Sequence, residues 1–384
     1  MDNYRPISVL PVLAKIIERV VHRQLSIYLE ENCLLSPNQF GFRKGRSTQQ
    51  AVTYFSDHIR DCMDKGEYCG AVFIDLKKAF DTVDHGRLLS KLSHYGIKDK
   101  ELTWFENYLF GRRQRVIYDG TQSDSQPVVC GVPQGSILGP MLFILLINDI
   151  DHQLNSCKIL LYADDTVVFT SSKNQETIKV NLNSDLSKLA TWFYENNLVV
   201  NLKKGKTEFI LYGTPNKLSK AEKMDIMIRN EPVNEVQAYQ YLGVKMDKSL
   251  TYVEHKDKIY KEAMRRVKLL SRIRRDISPL VAQSIYKTMI EPILLYCNNL
   301  FLGDTVSSIE KFQKVQERAF KIAYGNNIQN NWTKLEKIRN RACVIEVFKC
   351  LNGLAPQCYD GYFQRHSHGK GTRGDNNKLL FAKS

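Results

Sequence analysis

The sequence lacks the cysteine patterns that mark zinc-binding or disulfide-stabilised domains. Its nine cysteines are scattered over 384 residues and form neither a C-x-x-C pair nor a Cys/His cluster with zinc spacing. An odd, scattered set of cysteines in a chain of this length is typical of reduced thiols. We therefore predict an intracellular protein, nuclear or cytoplasmic, without a zinc site.

Long apolar runs and a signal peptide are also missing. The longest unbroken aliphatic and aromatic run, 141–147, is far too short to cross a bilayer. The first residues, MDNYRPISVLPV, contain no basic segment that leads into an apolar one. We expect no transmembrane segment, no secretion and no membrane partner.

Positive charge is what the sequence has in excess. Its 55 Lys and Arg residues outnumber 41 Asp and Glu residues, which gives a net charge of +14. Such an excess serves solubility, but it also suits a polyanionic partner, and nucleic acid is favoured over a membrane surface. Residues 256–275 alone carry nine Lys or Arg residues against two acids. Their net charge of +7 is half of the excess of the whole chain.

The segment 256–275 is predicted to be a helix with two different faces. Apolar residues recur at helical spacing and would form its buried stripe: Ile259, Ala263, Val267, Leu270 and Ile273. A second stripe, which we call the basic ridge, is entirely cationic: Lys258, Lys261, Arg265, Lys268, Arg272 and Arg275. A solvated face usually mixes charges of both signs, so the single sign of this stripe favours a phosphate-binding surface.

Apolar periodicity and turn residues predict helices and strands that alternate irregularly. Helices are expected at about 12–31, 48–64, 85–110, 140–150, 174–196, 278–300, 306–324 and 333–352. Strands are expected at 71–76, in hairpins at about 114–132 and 160–169, and around 206–213 and 224–244. One stripe of the first helix is predicted to face the core: Leu13, Ile17, Val21 and Leu25. This order indicates an α+β fold, with an antiparallel sheet backed by helices and followed by an all-α region.

Two adjacent acids, Asp164 and Asp165, interrupt the strand-forming run LLYADDTVVF. Asp favours turns, so the acids could simply occupy the tip of a hairpin. Asp75 ends the apolar run AVFI, where a lone Asp is most often a helix cap or turn residue. On adjacent antiparallel strands, however, the three carboxylates would need a counter-charge to stay ionised. A divalent cation supplies it, and oxygen-only ligands favour Mg²⁺ or Mn²⁺ over zinc.

Seven phrases of the sequence stand in an order that is typical of one family. They are NYRPISVLPVLAKIIERV (3–20), QFGFRKGRST (39–48), AVFIDLKKAFDTVDH (71–85), GVPQGSILGPMLFILLINDI (131–150), LLYADDTVVF (160–169), VNLKKGKTEF (200–209) and YLGVKMD (241–247). Together they resemble the polymerase of non-LTR (LINE-type, Jockey-like) retrotransposons. The resemblance implies a right-hand polymerase that copies an RNA template from a DNA primer, with dNTP substrates and two Mg²⁺ or Mn²⁺ ions.

The resemblance also implies domain boundaries. The expected parts are fingers at about 1–66 and 86–127, a palm at 67–85 and 128–253, a helical thumb at 254–324, a C-terminal helical region at 325–364, and a disordered tail at 365–384. Because the first phrase stands directly at the N-terminus, earlier fingers segments of that family are expected to be missing.

The acidic segments receive metal-binding roles from the resemblance. Asp75 and Asp164 would be carboxylate ligands, and Asp165 would complete the acidic tip. The Leu76 carbonyl would be a further ligand. These four residues make up the predicted site of the two ions.

A nucleotide pocket follows from the same resemblance. Arg5 would contact the triphosphate, and Gln134 and Gly135 of the Pro-Gln-Gly turn would line the pocket. Phe80 occupies the position of an aromatic steric gate that rejects a ribose 2′-hydroxyl. Without the motif, Phe80 would be interpreted as an ordinary core aromatic, and both interpretations stay open.

Two further elements would act on the primer and the leaving group. Tyr241, Leu242 and Gly243 match a primer-grip turn that positions the 3′ end of the primer. Lys206, with Lys204 as its rival, would donate a proton to pyrophosphate. The basic ridge would contact template-primer phosphates without sequence choice.

Two other functions stay open at the level of sequence. A non-catalytic, polymerase-derived nucleic-acid-binding protein would keep the basic segments but would not synthesise DNA. A two-metal nuclease would share the acids, yet it gives no role to Gln134, Phe80 or the YLGV turn. No pattern in the sequence indicates an oligomeric state.

Overall fold

The computed structural model describes residues 7–301, 304–325, 332–365 and 379–380. The chain forms two compact units, which we call unit 1 (1–44 and 61–237) and unit 2 (45–60 and 238–384). Among the described residues, every helix is too short or too polar to span a bilayer.

The described helices lie close to their predicted positions. They are α1 (Val12–Glu31), α2 (Thr48–Asp64), α3 (His85–His94), α4 (Asp99–Leu109), α5 (Gly139–Leu146), α6 (Gln175–Glu195), α7 (Pro215–Leu218), α8 (Val253–Ile273), α9 (Pro279–Ile285), α10 (Glu291–Leu295), α11 (Val306–Tyr324) and α12 (Leu335–Leu351). A π-helical segment, Tyr286–Ile290, joins α9 to α10. The expected helix 85–110 is two helices, because Gly96 adopts a φ of +87° directly after the cap of α3 and ends it.

The strands are mostly short. They are β1 (Tyr68–Ile74), β2 (Arg113–Gln114), β3 (Ile117–Tyr118), β4 (Thr121–Gln122), β5 (Gln126–Pro127), β6 (Lys158–Tyr162), β7 (Asp165–Ser172), β8 (Glu208–Tyr212), β9 (Met227–Ile228), β10 (Glu231–Pro232), β11 (Asn234–Glu235), β12 (Ala238–Tyr241), β13 (Val244–Asp247), β14 (Gln364–Arg365) and β15 (Leu379–Leu380). The main sheet has the order β11-β8-β1-β7-β6 and is antiparallel except for the β11–β8 pair. With helices around this sheet, the predicted α+β fold is confirmed.

The core of unit 1 lies around the central strand β1. All seven residues of β1 are buried, which explains its continuous apolar run. Gly70 lets α6 approach closely, because a Cβ there would lie 2.5 Å from Ile178 and 3.1 Å from Leu182. Helix α5, apolar on every side, is buried along its length. The strand that carries Asp75 at its end is therefore held on a rigid base.

Helix α1 buries a different face from the one predicted. Of the predicted stripe, Leu25 is buried, whereas Leu13 and Ile17 are 75% and 54% exposed, so the prediction is wrong for these two. Glu18, placed among the polar residues, is instead buried. Its carboxylate accepts hydrogen bonds from the Tyr108 hydroxyl (2.9 Å) and from the backbone N–H of Ile137 (2.6 Å), and these bonds offset the cost of burying a charge.

Unit 2 is mainly helical in its described part. The apolar stripe of α8 is buried as predicted, with Ile273 half-buried at its end, and all six residues of the basic ridge are exposed. The predicted two-faced helix is thereby confirmed. The tail predicted to be disordered lies almost wholly outside the described residues, and Leu379–Leu380 pairs with Gln364–Arg365.

Candidate active site

The two acidic segments lie on adjacent antiparallel strands, as predicted. Strand β1 pairs with β7 so that Ile74 faces Thr166, and β6 pairs with β7 so that Tyr162 faces Asp165. Asp75 comes directly after Ile74, and its register position is therefore level with Asp165. Neighbouring strands are about 4.8 Å apart, so the three acids share one end of the sheet.

The acidic turn consists of Ala163 and Asp164 and is held from outside. Ala163 has a φ of +55°, a conformation that is uncommon for residues other than glycine. The side-chain oxygen Oε1 of Gln39 accepts the backbone N–H of Ala163 (3.0 Å) and that of Gly41 (2.8 Å). The backbone of Leu161 exchanges two further hydrogen bonds with residues 38 and 40. Residues 39–41, which we call the QFG segment, therefore hold the turn in place, and the sequence analysis did not predict this role.

Asp75 is fixed by a loop from a distant part of the chain. Its Oδ2 accepts a hydrogen bond from Nδ2 of Asn201 at 2.8 Å, and its carbonyl accepts the backbone N–H of Asn201 at 2.8 Å. Its own backbone N–H donates to Oγ1 of Thr207 at 3.2 Å. Nζ of Lys206 lies 3.8 Å from Oδ1 of Asp75, so Lys206, rather than Lys204, is the lysine that pairs with this acid.

Asn201 and Thr207 are further residues that sequence reasoning missed. Both lie within the phrase VNLKKGKTEF, on either side of its three lysines. Their roles could not be predicted from the phrase itself, because Asp75, to which both bond, lies more than 120 positions away in the sequence.

Phe80 lies at the edge of the apolar core. Its ring stacks on Phe143, with centroids 4.6 Å apart, and meets the ring of Phe42 edge-on at 6.4 Å. The side chain is half-buried, and its backbone carbonyl accepts the N–H of Val132 at 2.8 Å. One face of the ring thus belongs to the core, while part of the ring is exposed.

The Pro-Gln-Gly turn is held by contacts on two sides. Nε2 of Gln134 donates to Oδ1 of Asp81 at 2.8 Å, and the Gln134 carbonyl accepts the N–H of Ser8 at 2.7 Å. Gly135 has a φ of +111°, and a Cβ there would lie 3.0 Å from the Ser8 carbonyl oxygen. Glycine is therefore required at this position. Arg5, the predicted triphosphate ligand, lies outside the described residues.

The predicted primer-grip residues form a tight hairpin turn in unit 2. Leu242 and Gly243 connect β12 to β13, and both have positive φ (44° and 84°), as a two-residue turn of this kind requires. The hydroxyl of Tyr296 donates to the Leu242 carbonyl at 2.6 Å. Tyr241 is buried, and its ring meets the ring of Phe55 edge-on at 5.9 Å.

The basic residues of α8 and of the two positions after it divide into two sets. Those that point inward have structural partners: Lys256 pairs with Asp304 at 3.0 Å, and Arg274 donates to the Ile322 carbonyl. On the basic ridge, Arg265 pairs with Glu262 of the same helix at 3.0 Å. The other ridge residues form no ion pair with any residue in the described ranges. The ridge is therefore a cationic surface open to an anionic partner.

Comparisons with known proteins decide the family. The family described as Reverse transcriptase (RNA-dependent DNA polymerase) matches residues 1–246. The chain belongs to the reverse transcriptase family. This membership agrees with the resemblance seen in the sequence and confirms the predicted polymerase fold.

The relatives of this reverse transcriptase chain come from transposable elements. It is 31% identical over 336 residues to the probable RNA-directed DNA polymerase from transposon BS of Drosophila melanogaster, covering 83% of the chain and 36% of the relative. It is 28% identical over 331 residues to the RNA-directed DNA polymerase from mobile element jockey of the same species, covering 84% and 35%. Among solved structures, apo telomerase from Candida tropicalis matches 89% of the chain and 60% of that protein, with 11% identity and a TM-score of 0.45. The chain spans about a third of the length of these curated relatives.

Proposed function

We propose that this chain is the polymerase part of a non-LTR retrotransposon protein and that it transfers dNTPs to a primer 3′-hydroxyl by a two-metal-ion mechanism. The observation that carries the proposal is the register of β1, β6 and β7, which brings Asp75, Asp164 and Asp165 to one end of a rigid sheet. Acids held at the ends of paired strands and in the tight turn between them offer the precision that metal-assisted chemistry requires.

The donor atoms of this site fit a hard divalent cation. Asp75, Asp164 and Asp165 offer carboxylate oxygens and Leu76 a carbonyl oxygen, which Mg²⁺ and Mn²⁺ prefer. A cation already lies at the site, since the ammonium group of Lys206 is 3.8 Å from Oδ1 of Asp75. Two bound ions would lower the pKa of the primer hydroxyl and stabilise the charge on the leaving pyrophosphate.

The protein's own groups would then orient the nucleotide and move one proton. Gln134 and Gly135 would line the pocket of the incoming nucleotide, and Arg5 would contact its triphosphate. Lys206 would give its proton to the departing pyrophosphate, a role that its place beside Asp75 supports. Phe80 would lie under the sugar.

A substitution of Phe80 distinguishes the two interpretations of this residue. If Phe80 is a steric gate, Phe80→Ala leaves the protein folded and permits extension with rNTPs. If Phe80 serves only the core, the variant loses about 3 kcal/mol or more of unfolding free energy and gains no rNTP use. Extension with each nucleotide set, beside urea unfolding, separates the outcomes.

The template-primer would be bound mostly through its phosphates. The basic ridge supplies cations for this contact, and the Tyr241–Leu242–Gly243 turn would hold the primer end. In this proposal, fingers, palm and thumb have the boundaries predicted from the sequence. Contacts of this type give affinity for any template, with strong salt dependence.

Primer extension is the experiment that tests the function. The chain is given an RNA template, a DNA primer, dNTPs and Mg²⁺ or Mn²⁺, beside Asp164→Asn and the matched control Asp124→Asn, whose acid lies on an exposed hairpin. We expect extension by the wild type and the control, and none by Asp164→Asn. Salt-sensitive binding without any extension would instead indicate a nucleic-acid-binding protein, and metal-dependent cleavage would indicate a nuclease.

A further inference from the structure

Asn201 makes two hydrogen bonds to the same acidic residue. Its side-chain Nδ2 donates to Oδ2 of Asp75 and its backbone N–H donates to the Asp75 carbonyl, both at 2.8 Å. One bond fixes the rotation of the carboxylate, and the other fixes the strand end that carries it. A single residue therefore sets both the position and the orientation of Asp75.

The orientation of the Asn201 amide is itself determined. Its Oδ1 accepts the backbone N–H of Lys203 at 3.4 Å, so Nδ2, the donor, is directed to Asp75. The Asn201 carbonyl accepts the N–H of Thr207 at 3.2 Å, and Oγ1 of Thr207 accepts the N–H of Asp75. These bonds close a ring through Asp75, Asn201 and Thr207.

The two carboxylate oxygens of Asp75 have different neighbours. Oδ2 is occupied by the amide of Asn201, whereas Oδ1 faces the ammonium group of Lys206 at 3.8 Å. We propose that Asn201 is a positioning residue of the acidic site, which holds Oδ2 so that Asp75 presents Oδ1 to a divalent cation. The inference rests on the proposed function of this site.

A structural role alone would give a different pattern. If the ring only closed the connection between α6 and β8, its removal would lower stability and leave the affinity for metal unchanged. If Asn201 positions the ligand, a freed carboxylate rotates, and the affinity for metal falls even in a folded protein. Partners of metal ligands typically account for about 10–100-fold in metal affinity.

A matched control exists in the same connection. Nδ2 of Asn197 donates to Oδ2 of Asp84 at 2.9 Å, which is the same kind of bond at an acid away from the site. Asn197→Gly removes it without strain, because the φ of residue 197 is +57°.

The test measures Mn²⁺ binding directly, by the electron paramagnetic resonance of the free ion, with urea unfolding of each variant. We expect Asn201→Ala to bind Mn²⁺ about 10–100-fold more weakly, and Asn197→Gly to bind it as the wild type does. Wild-type affinity in a folded Asn201→Ala, or an equal loss in Asn197→Gly, overturns the inference. A wild type that binds no Mn²⁺ overturns the metal site itself, and the inference with it.

A second variant keeps the test valid if Asn201→Ala does not fold. Asn201→Asp has the same shape and keeps the acceptor for the Lys203 N–H, but it replaces the donor that holds Oδ2 by an acceptor. We expect the Mn²⁺ concentration for half-saturation to change about tenfold or more, because the orientation of Asp75 is lost. An unchanged half-saturation would overturn the positioning role.

Discussion

Replacing Gly41 by alanine tests whether the QFG segment holds the acidic turn. A Cβ at residue 41 would lie 2.4 Å from the backbone N of Ala163 and 2.9 Å from the carbonyl carbon of Tyr162. Both neighbours are backbone atoms, so a side-chain rotation cannot relieve the contact. Gly41 does not have a positive φ, and the effect of the substitution is therefore a clash with the turn rather than backbone strain.

The size of the effect follows from the overlap. Ordinary contact begins at 3.4 Å, so the two backbones must separate by about 1 Å. Such overpacking typically costs about 1–3 kcal/mol, and weakening the two bonds that Gln39 accepts adds about 1 kcal/mol each. A displacement of about 1 Å at a catalytic group can lower the rate about 100-fold. We therefore expect Gly41→Ala to lose about 3–5 kcal/mol of stability and about 100-fold in primer extension.

The matched control is Gly86→Ala in α3. A Cβ there would have its nearest neighbour, Oδ1 of Asp84, at 3.4 Å, which is an ordinary contact. Alanine replaces glycine in a helix with a gain of about 0.5–1 kcal/mol, so this variant should be as stable as the wild type or more so. Urea unfolding and single-turnover extension are measured for both variants. A Gly41→Ala protein with wild-type stability and wild-type extension would refute the view that this segment holds the turn.

Three further predictions concern charge. Asp185 is buried and accepts three backbone N–H groups before β6; burial acts to raise its pKa, but these bonds hold the pKa below its usual range. In urea unfolding at pH 7, Asp185→Ala should therefore be about 3 kcal/mol less stable than the wild type. The wild type should lose the stabilisation by ionised Asp185 as the pH falls through that lowered pKa. Burial, and then the charge of Lys258, lowers the pKa of His255 to about 4. The free energy of unfolding should therefore fall by up to about 3 kcal/mol as the pH is lowered from 6.5 to 4. His255→Phe should abolish this dependence. Replacing Lys268 and Arg272 by Gln should reduce the slope of log affinity against log salt by up to about 1.8 on a duplex, and an unchanged slope would contradict the role of the basic ridge.

The acidic hairpin was predictable because its signal is local. A run of strand-forming residues that two acids interrupt indicates a hairpin with an acidic tip, and the strands β6 and β7 form there. The apolar run before Asp75 likewise indicates a buried strand, and β1 is buried throughout. The two-faced character of α8 was predictable for the same reason, since its two stripes differ in polarity along one short segment.

The burial of α1 was not predictable from periodicity. This helix is apolar on several faces: Val12, Ile16 and Val20 are exposed together with Leu13 and Ile17. With more than one apolar stripe, the 3.6-residue period does not select the face that meets the core. The buried face depends on a residue far along the chain, because the Tyr108 hydroxyl donates a hydrogen bond to the carboxylate of Glu18 on that face.

The residues that hold the acids in place were hidden by distance along the chain. Gln39 bonds to Ala163 across 124 positions, and Asn201 bonds to Asp75 across 126. No local pattern distinguishes such a polar side chain from one that points to solvent. A chain can therefore keep all three acids and still lose the order around them through one substitution at 39 or 201. The acids in a sequence indicate where a metal site can form, and the amides that hold them decide whether its geometry forms.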